Sequence, residues 1–458
     1  MNMKITFIFS CSGILAALLL APPARAQESV DDLKGAVAAL QSEVARLTAE
    51  GASAARLAEI ERRIDLLAAE LEKSRTGGAT ETEAPVKGEP GFGRAASKVY
   101  RRVGGVSLGG YGEAMYQNFA KRAQDGAAAE QRDQLDLVRV VLYTGYKFGD
   151  KMLFNAEVEY EHASTGEGDE ERGEVSVEFG YLDFKPWQQV GIRAGMVLLP
   201  LGLINELHEP PIFLGARRPE VEQAIIPTTW HEVGAGFFGE TGPLQWRSYV
   251  VAGLRSTGFT GEGLKEGRQQ GSQSLAEDLA FTGRLDYVGV PGLLLGGSLY
   301  TGNAGQGATL DDQTIKGHVT LFDVHGQYEH RGLWLRALYA QTSVGDAALI
   351  NAQNGLAGDE SVGSRQNGFY AEAGYDVMNA HPKGQWAVIP FVRYERLNTQ
   401  ARVPAGFEQN PALERKVLTA GVSVKPVTNV VLKADYQSQS NQARTGVSQF
   451  NLALGFLF

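Results

Sequence analysis

The sequence predicts an all-β fold, a sixteen-stranded antiparallel transmembrane β-barrel preceded by an α-helical coiled-coil segment. Three observations point there. From about Gly104 onward, apolar residues recur at every second position, the period of half-buried strands. Tight turns alternate with long, polar, glycine-rich loops, the pattern of an outer-membrane barrel. The chain stops on "NLALGFLF", in which Phe450, Leu452, Leu454, Phe456 and Phe458 share one strand face. An apolar face at a chain end needs a cover, and lipid hydrocarbon around a closed barrel supplies one.

Residues 1–26 read as a secretory signal peptide. Lys4 gives the positive start, Ile5 to Leu20 is a largely apolar run, and Ala24-Arg25-Ala26 offers small residues for cleavage. The only cysteine, Cys11, lies inside it, so no disulfide is expected in the exported chain. Residues 27–76 read as a coiled coil. Val30, Leu33, Val37, Leu40, Val44 and Leu47 step by threes and fours. The phase slips at Gly51 to Ala54 and resumes with Leu57, Ile60, Ile64, Leu67 and Leu71. Residues 77–103 form a linker whose first part is rich in Gly, Pro and charge.

The barrel then occupies residues 104–458. Its strands are expected to begin near Gly105, Asp133, Lys151, Gly173, Gln188, His231, Pro243, Leu279, Gly292, Gly317, Gly332, Arg365, Gln385, Ala412, Thr428 and Gly446. An even strand number returns both barrel ends to the periplasmic side, beside the coiled coil.

Composition narrows the function classes. The 458 residues carry 53 Asp+Glu against 43 Lys+Arg, a net charge of -10, which argues against a nucleic-acid partner. Beyond the signal no run of 18 apolar residues occurs, so helices are not expected to span a membrane. The mean hydropathy of -0.19 looks soluble, as that of a barrel does when half of each strand faces water.

Two catalytic fingerprints fail on context. "GVSLG" (Gly105 to Gly109) needs a sharp turn and a helix after Ser107, and here the strand pattern continues. "GAGFFG" (Gly234 to Gly239) has no helix after it. The histidines show no metal-ligand spacing. No catalytic residue, metal or cofactor is therefore expected, and the chain does not read as an enzyme.

Strand parity defines the water-facing side. If Val138, Val140 and Leu142 face lipid, then Arg139 lines the lumen, together with Arg193, Arg247, Arg284, Arg336, Arg393, Lys433, Glu157, Glu159 and Glu178. A wet pore tolerates such charges, each of which either pairs with the next strand or acts on passing ions. The third long loop, Leu201 to Trp230, is far more apolar than the others and carries four prolines. Exposed, it would be a liability. Folded inward, it would narrow the pore, with Glu206, His208, Glu209, Arg217 and Arg218 as constriction residues. A lid or subunit-contact loop is the alternative.

Three stretches, "GIRAGMVLLPLG" (Gly191 to Gly202), "VIPFVRYERL" (Val388 to Leu397) and "GVSVKPVTNVVLKADYQ" (Gly421 to Gln437), resemble the outer-membrane porins related to the phosphate-selective porins O and P. The terminal "LGFLF" fits as well. The resemblance implies a trimeric sixteen-stranded porin with an inward third loop. Phosphate-selective members line their pore with a dense arginine ladder, whereas parity here gives more lumenal acids than bases.

The function expected is a water-filled channel in the cell outer membrane for passive diffusion of small hydrophilic or ionic solutes, anions among them. The alternative is a structural protein linking the outer membrane to a periplasmic partner through its coiled coil. Expected partners are outer-membrane lipid, two further copies in a homotrimer, and the barrel-assembly machinery through a signal ending on Phe458.

Overall fold

The computed structural model describes residues 90–164, 173–187, 189–380 and 386–458. The chain divides into two units, Met1–Val86 and Lys87–Phe458. Every described residue belongs to the second, so the expected signal peptide and coiled coil lie outside the described residues.

The second unit is a closed antiparallel barrel of sixteen strands. In chain order they are β1 (Gly105–Phe119), β2 (Gln134–Gly149), β3 (Met152–Glu161), β4 (Val175–Phe184), β5 (Val190–Leu198), β6 (His231–Thr241), β7 (Leu244–Ala252) and β8 (Leu279–Tyr287). They continue with β9 (Leu293–Gly302), β10 (Val319–His330), β11 (Leu333–Val344), β12 (Arg365–Tyr375), β13 (Ala387–Arg402), β14 (Glu414–Val427), β15 (Val430–Asn441) and β16 (Gln449–Leu457). Each strand pairs with its sequence neighbours, and every start falls within three residues of its expected place. Short connections gather at one end of the barrel, the turn end. Long connections gather at the other, the loop end.

The alternation seen in the sequence becomes two chemically distinct faces. Leu142, Phe237, Phe281, Leu295, Leu335, Val392, Leu432, Leu452 and Leu454 are exposed around the outside. Their strand neighbours Arg139, Arg193, Arg247, Arg284, Arg336, Arg393 and Lys433 point inward.

β16 closes the barrel on β1, with Tyr111 opposite Leu457 and Phe119 opposite Gln449. Gly110 and Phe458 exchange two backbone hydrogen bonds of 3.0 Å beyond the end of β16. The glycines of β1 serve this seam. A Cβ on Gly112 would collide with the Phe456 ring, which lies across the bare backbone.

Two segments enter the lumen. The third long loop runs through it between Leu199 and Trp230, as its apolar composition requires. It contains the one-turn helix α1 (Glu220–Ala224), and Leu201, Ile204, Phe213, Leu214, Ile225 and Ile226 are all buried. A larger helix, α2 (Ala347–Asn354), sits in the loop after β11 and packs Ile350 into the same apolar core.

The second lumenal segment lies where the linker was expected. Ala96–Arg101 is a 3-10 helix inside the turn end of the barrel, in contact with β1, β2 and β3. Lumenal glycines make room for it. Gly145 leaves space for Val99, and Gly109 for Ala95 and Lys98.

Replacing Gly112 by Val should displace the Phe456 ring from the seam and cost about 1–3 kcal/mol. Urea unfolding in detergent micelles, followed by the heat-shift of the folded band, measures this.

Candidate functional site

The inward loop has no strand partners for its own backbone, and charged wall side chains satisfy it instead. At its base Asn205 donates to the carbonyls of Leu199 (2.7 Å) and Trp230 (2.9 Å) and accepts from the Trp230 amide (2.6 Å), tying the loop's two ends together. Glu222 of α1 accepts from the amides of Leu203 (2.9 Å) and Ile204 (2.7 Å) and from the Tyr370 hydroxyl on β12 (2.6 Å). Farther along, Lys433 donates to the Gly215 carbonyl at 2.9 Å, and the Ala216 amide donates to Asp435 at 2.5 Å. Arg393 donates to the Arg217 carbonyl at 3.2 Å, and the Val221 amide donates to Glu395 at 3.2 Å.

These contacts decide what each lumenal charge can do. Arg247 pairs with Glu206 (3.0 Å) and Asp286 (3.1 Å), and Arg284 with Asp286 (2.7 Å). Arg284 also donates to the Gly202 carbonyl. Arg393 pairs with Glu395 at 2.8 Å and Glu372 at 3.3 Å. Arg193 forms a bidentate pair with Asp183 (2.7 and 2.8 Å) and stacks between the rings of Phe92 and Tyr181. Arg336 donates to Gln327 at 2.8 Å, and the Lys433 ammonium lies 3.5 Å from the centre of the Phe213 ring. The charged groups are buried; those of Arg247, Arg284, Arg393 and Lys433 hold loop and wall together, and those of Arg193 and Arg336 tie strands to each other.

A different arrangement occupies the opposite side, against β1 to β4. There a cavity of about 570 Å³ opens toward the loop end. Its wall side carries Glu113, Glu159, Glu161, Glu174 and Glu178, with Arg139 among them at 2.7 Å from Glu159. Its loop side carries Arg217, Arg218, Lys265 and Arg268. Acid therefore faces base across the space. Arg217 is partly exposed and makes a long 3.5 Å pair with Glu220. One terminal nitrogen of Arg218 is buried with no hydrogen-bond partner among the described residues. Of Glu206, Glu209, Glu220 and Glu222, the acids near this arginine pair in sequence, only Glu220 pairs with it. Glu206 goes to Arg247, and Glu222 is used inside the loop.

His208 and Glu209 reach in other directions. His208 inserts between Glu157 (3.1 Å) and Glu178 (3.3 Å) of the wall. Burial alone would lower its pKa. The Glu157 and Glu178 carboxylates together outweigh burial and raise it to about 9. Glu209 accepts from the amides of Arg94 (2.9 Å), Ala95 (2.9 Å) and Ala96 (3.2 Å), so the loop caps the lumenal 3-10 segment. The same segment is held by Asn155, which donates to the Ala96 carbonyl at 3.1 Å, and by Tyr100, which donates to Asp183 at 2.7 Å. Sequence reasoning missed this segment as part of the site. Its one local signal is the pair of small lumenal residues, Gly109 and Gly145.

Closed strand order, an apolar exterior and a charged interior define the class, a sixteen-stranded β-barrel. The chain belongs to the same family as an uncharacterized protein of Aquifex aeolicus (strain VF5), with 37% identity over 380 residues, covering 80% of this chain and 83% of that one. No family model matches the chain. Among solved structures it is similar to the anion-selective porin from Comamonas acidovorans, at 12% identity and a TM-score of 0.47 over 78% of this chain and 100% of that one. It is also similar to the outer membrane channel DcaP of Acinetobacter baumannii, at 12% identity and a TM-score of 0.47 over 81% and 100% of the two chains.

Substituting Glu209 by Ala strands the buried amides of Ala95 and Ala96 and the part-buried amide of Arg94, at a cost of about 1–3 kcal/mol for each buried donor. Hydrogen exchange of the Arg94–Ala96 amides should accelerate while strand amides keep their protection.

Proposed function

We propose that the protein is an outer-membrane porin, a passive channel for small hydrophilic and ionic solutes. The observation that carries this reading is the cavity beside β1 to β4, where charged groups of both signs face open space inside a barrel with an apolar exterior. A packed structural core has no use for a partly exposed Arg217 facing a cavity lined by charge of both signs. The solute path runs between the inward loop and this wall. Arg217 and Arg218 draw anions to the loop side, and the wall glutamates hold cations opposite.

The protomer associates as a homotrimer, a reading supported by the family resemblance, which outweighs the two-stranded preference of Val at a and Leu at d in the heptad seam of residues 27–76. Light scattering of the detergent-solubilised protein tests it. A dimer or monomer rejects it.

One observation favours a second reading. The segment around Ala96–Arg101 occupies the turn end, and much of the lumen is packed with apolar side chains. In that reading the barrel is an anchor, and the coiled coil engages a periplasmic partner. Planar-bilayer recording separates the two: folded full-length protein that yields no channels supports the anchor.

If the channel reading holds, the double substitution Arg217→Ala with Arg218→Ala shifts the reversal potential in a salt gradient toward cation selectivity, with the oligomer intact. An unchanged potential removes these two residues from the ion path.

A further inference from the structure

We propose that Glu157, Glu178 and His208 form a binding site for one divalent transition cation of the zinc type, held between the inward loop and strands β3 and β4. The three side chains come from separate elements, and their ligand atoms lie within 4.8 Å of one another. All three are buried. This inference is independent of the channel reading.

The geometry suits a metal. The His208 Nε2 lies 3.1 Å from Glu157 Oε1 and 3.3 Å from Glu178 Oε2. Zinc–ligand bonds of about 2.0–2.1 Å give tetrahedral edges of about 3.3 Å. Both edges that meet at His208 therefore match a tetrahedral site, and the third lies within 4.8 Å. The other ring nitrogen is already committed, since Nδ1 donates to the Asn205 carbonyl at 3.0 Å. That bond fixes the tautomer, turns the Nε2 lone pair toward the two carboxylates and orients the ring, as outer partners do at histidine–metal sites. Three electron-rich ends then converge, with Glu178 also accepting from the Thr229 hydroxyl, and a cation between them would satisfy all three.

A metal fills that place, or else a proton does, on Nε2 or on one of the carboxylates. A protonated His208 leaves two carboxylates facing one positive charge. Among the described residues neither Glu157 nor Glu178 has another ion-pair partner. It also leaves Glu157 Oε2 fully buried with nothing to bond. A dication neutralises both carboxylates and uses that oxygen.

Buried polar atoms nearby point the same way. The Tyr111 hydroxyl is fully buried without a hydrogen-bond partner, and its ring sits edge-on to His208 at 6.1 Å. Thr228 Oγ1 is buried and unpartnered as well, on the lining of the cavity that Glu178 also lines. Water from the cavity completes the coordination shell on that side. One nitrogen with two carboxylates favours zinc and its first-row neighbours over calcium or magnesium, which prefer oxygen alone.

The test uses the full chain in detergent, stripped with a chelator and titrated with zinc chloride by calorimetry, with metal content measured after dialysis. The expected result is one zinc per chain, with calcium at the same concentration failing to compete. His208→Gln and Glu157→Gln should each weaken binding at least about tenfold while the heat-shift of the folded barrel is retained. Absence of saturable zinc binding to the folded wild-type chain overturns the site, and this arm needs no variant. Equal competition by calcium, or unchanged affinity in both folded variants, overturns it too.

Discussion

The structure depends on one constraint: a loop that enters a barrel carries its backbone polar groups away from both water and the strand ladder. Each such group left bare costs about 1–3 kcal/mol. The wall meets this with charge. Asp435, Glu395 and Asp323 accept loop amides, and Lys433, Arg393 and Arg284 donate to loop carbonyls, while the loop's own Glu222 accepts two more of its amides. The apolar loop side chains then pack as a core around Trp230, Tyr300 and Tyr370. Packing alone would not place the loop, because a hydrophobic contact tolerates sliding. The directional bonds give it one register, and that register sets where Arg217 and Arg218 lie.

This splits the lumenal charges into two populations that look alike in sequence. Those reaching the loop backbone, or pairing beneath it, are consumed by the architecture. Removing one partner of such a buried pair costs about 3–5 kcal/mol, because its mate is left unpaired. Glu113, Glu159 and Glu161 on β1 and β3 face the cavity and keep part of their field. Counting acids against bases over the whole lumen is therefore a poor guide to selectivity. In the channel reading, the charges that would act on a solute are those left over after the loop has been held.

The barrel itself was legible because period-two alternation is a direct imprint of a two-faced wall. Each strand start followed from it, and so did the inward side chains of Arg139, Arg247 and Arg393. The inward loop was legible from composition, since Ile204, Phe213 and Ile226 could not stay in water. The pairing of those arginines was not legible. Arg247 meets Glu206 from a distant loop, a match made by the fold and by no local spacing. The helix Ala96–Arg101 was hidden for the same reason. "ASKVYR" is too short to show a period, and its partners Glu209, Asn155 and Asp183 lie far along the chain. The Glu157–Glu178–His208 cluster has no motif to find, because two of its members come from neighbouring strands and the third from a loop.

The lumenal 3-10 segment also bears on how the barrel closes. Gly109 sits in β1 where three parts of the chain meet. A Cβ there would lie 3.1 Å from the Ala95 carbonyl, 3.1 Å from the Lys98 side chain and 3.3 Å from the Phe458 carbonyl. The N-terminal segment therefore packs directly on the seam made by the first and last strands. The seam's pairing and the segment's docking share one strand, so each holds that strand in the geometry the other needs. Glu209 extends the coupling to the inward loop, whose carboxylate caps the same segment. Seam, segment and loop thus form one mechanical unit, tied together across more than three hundred residues of chain by a glycine and a carboxylate.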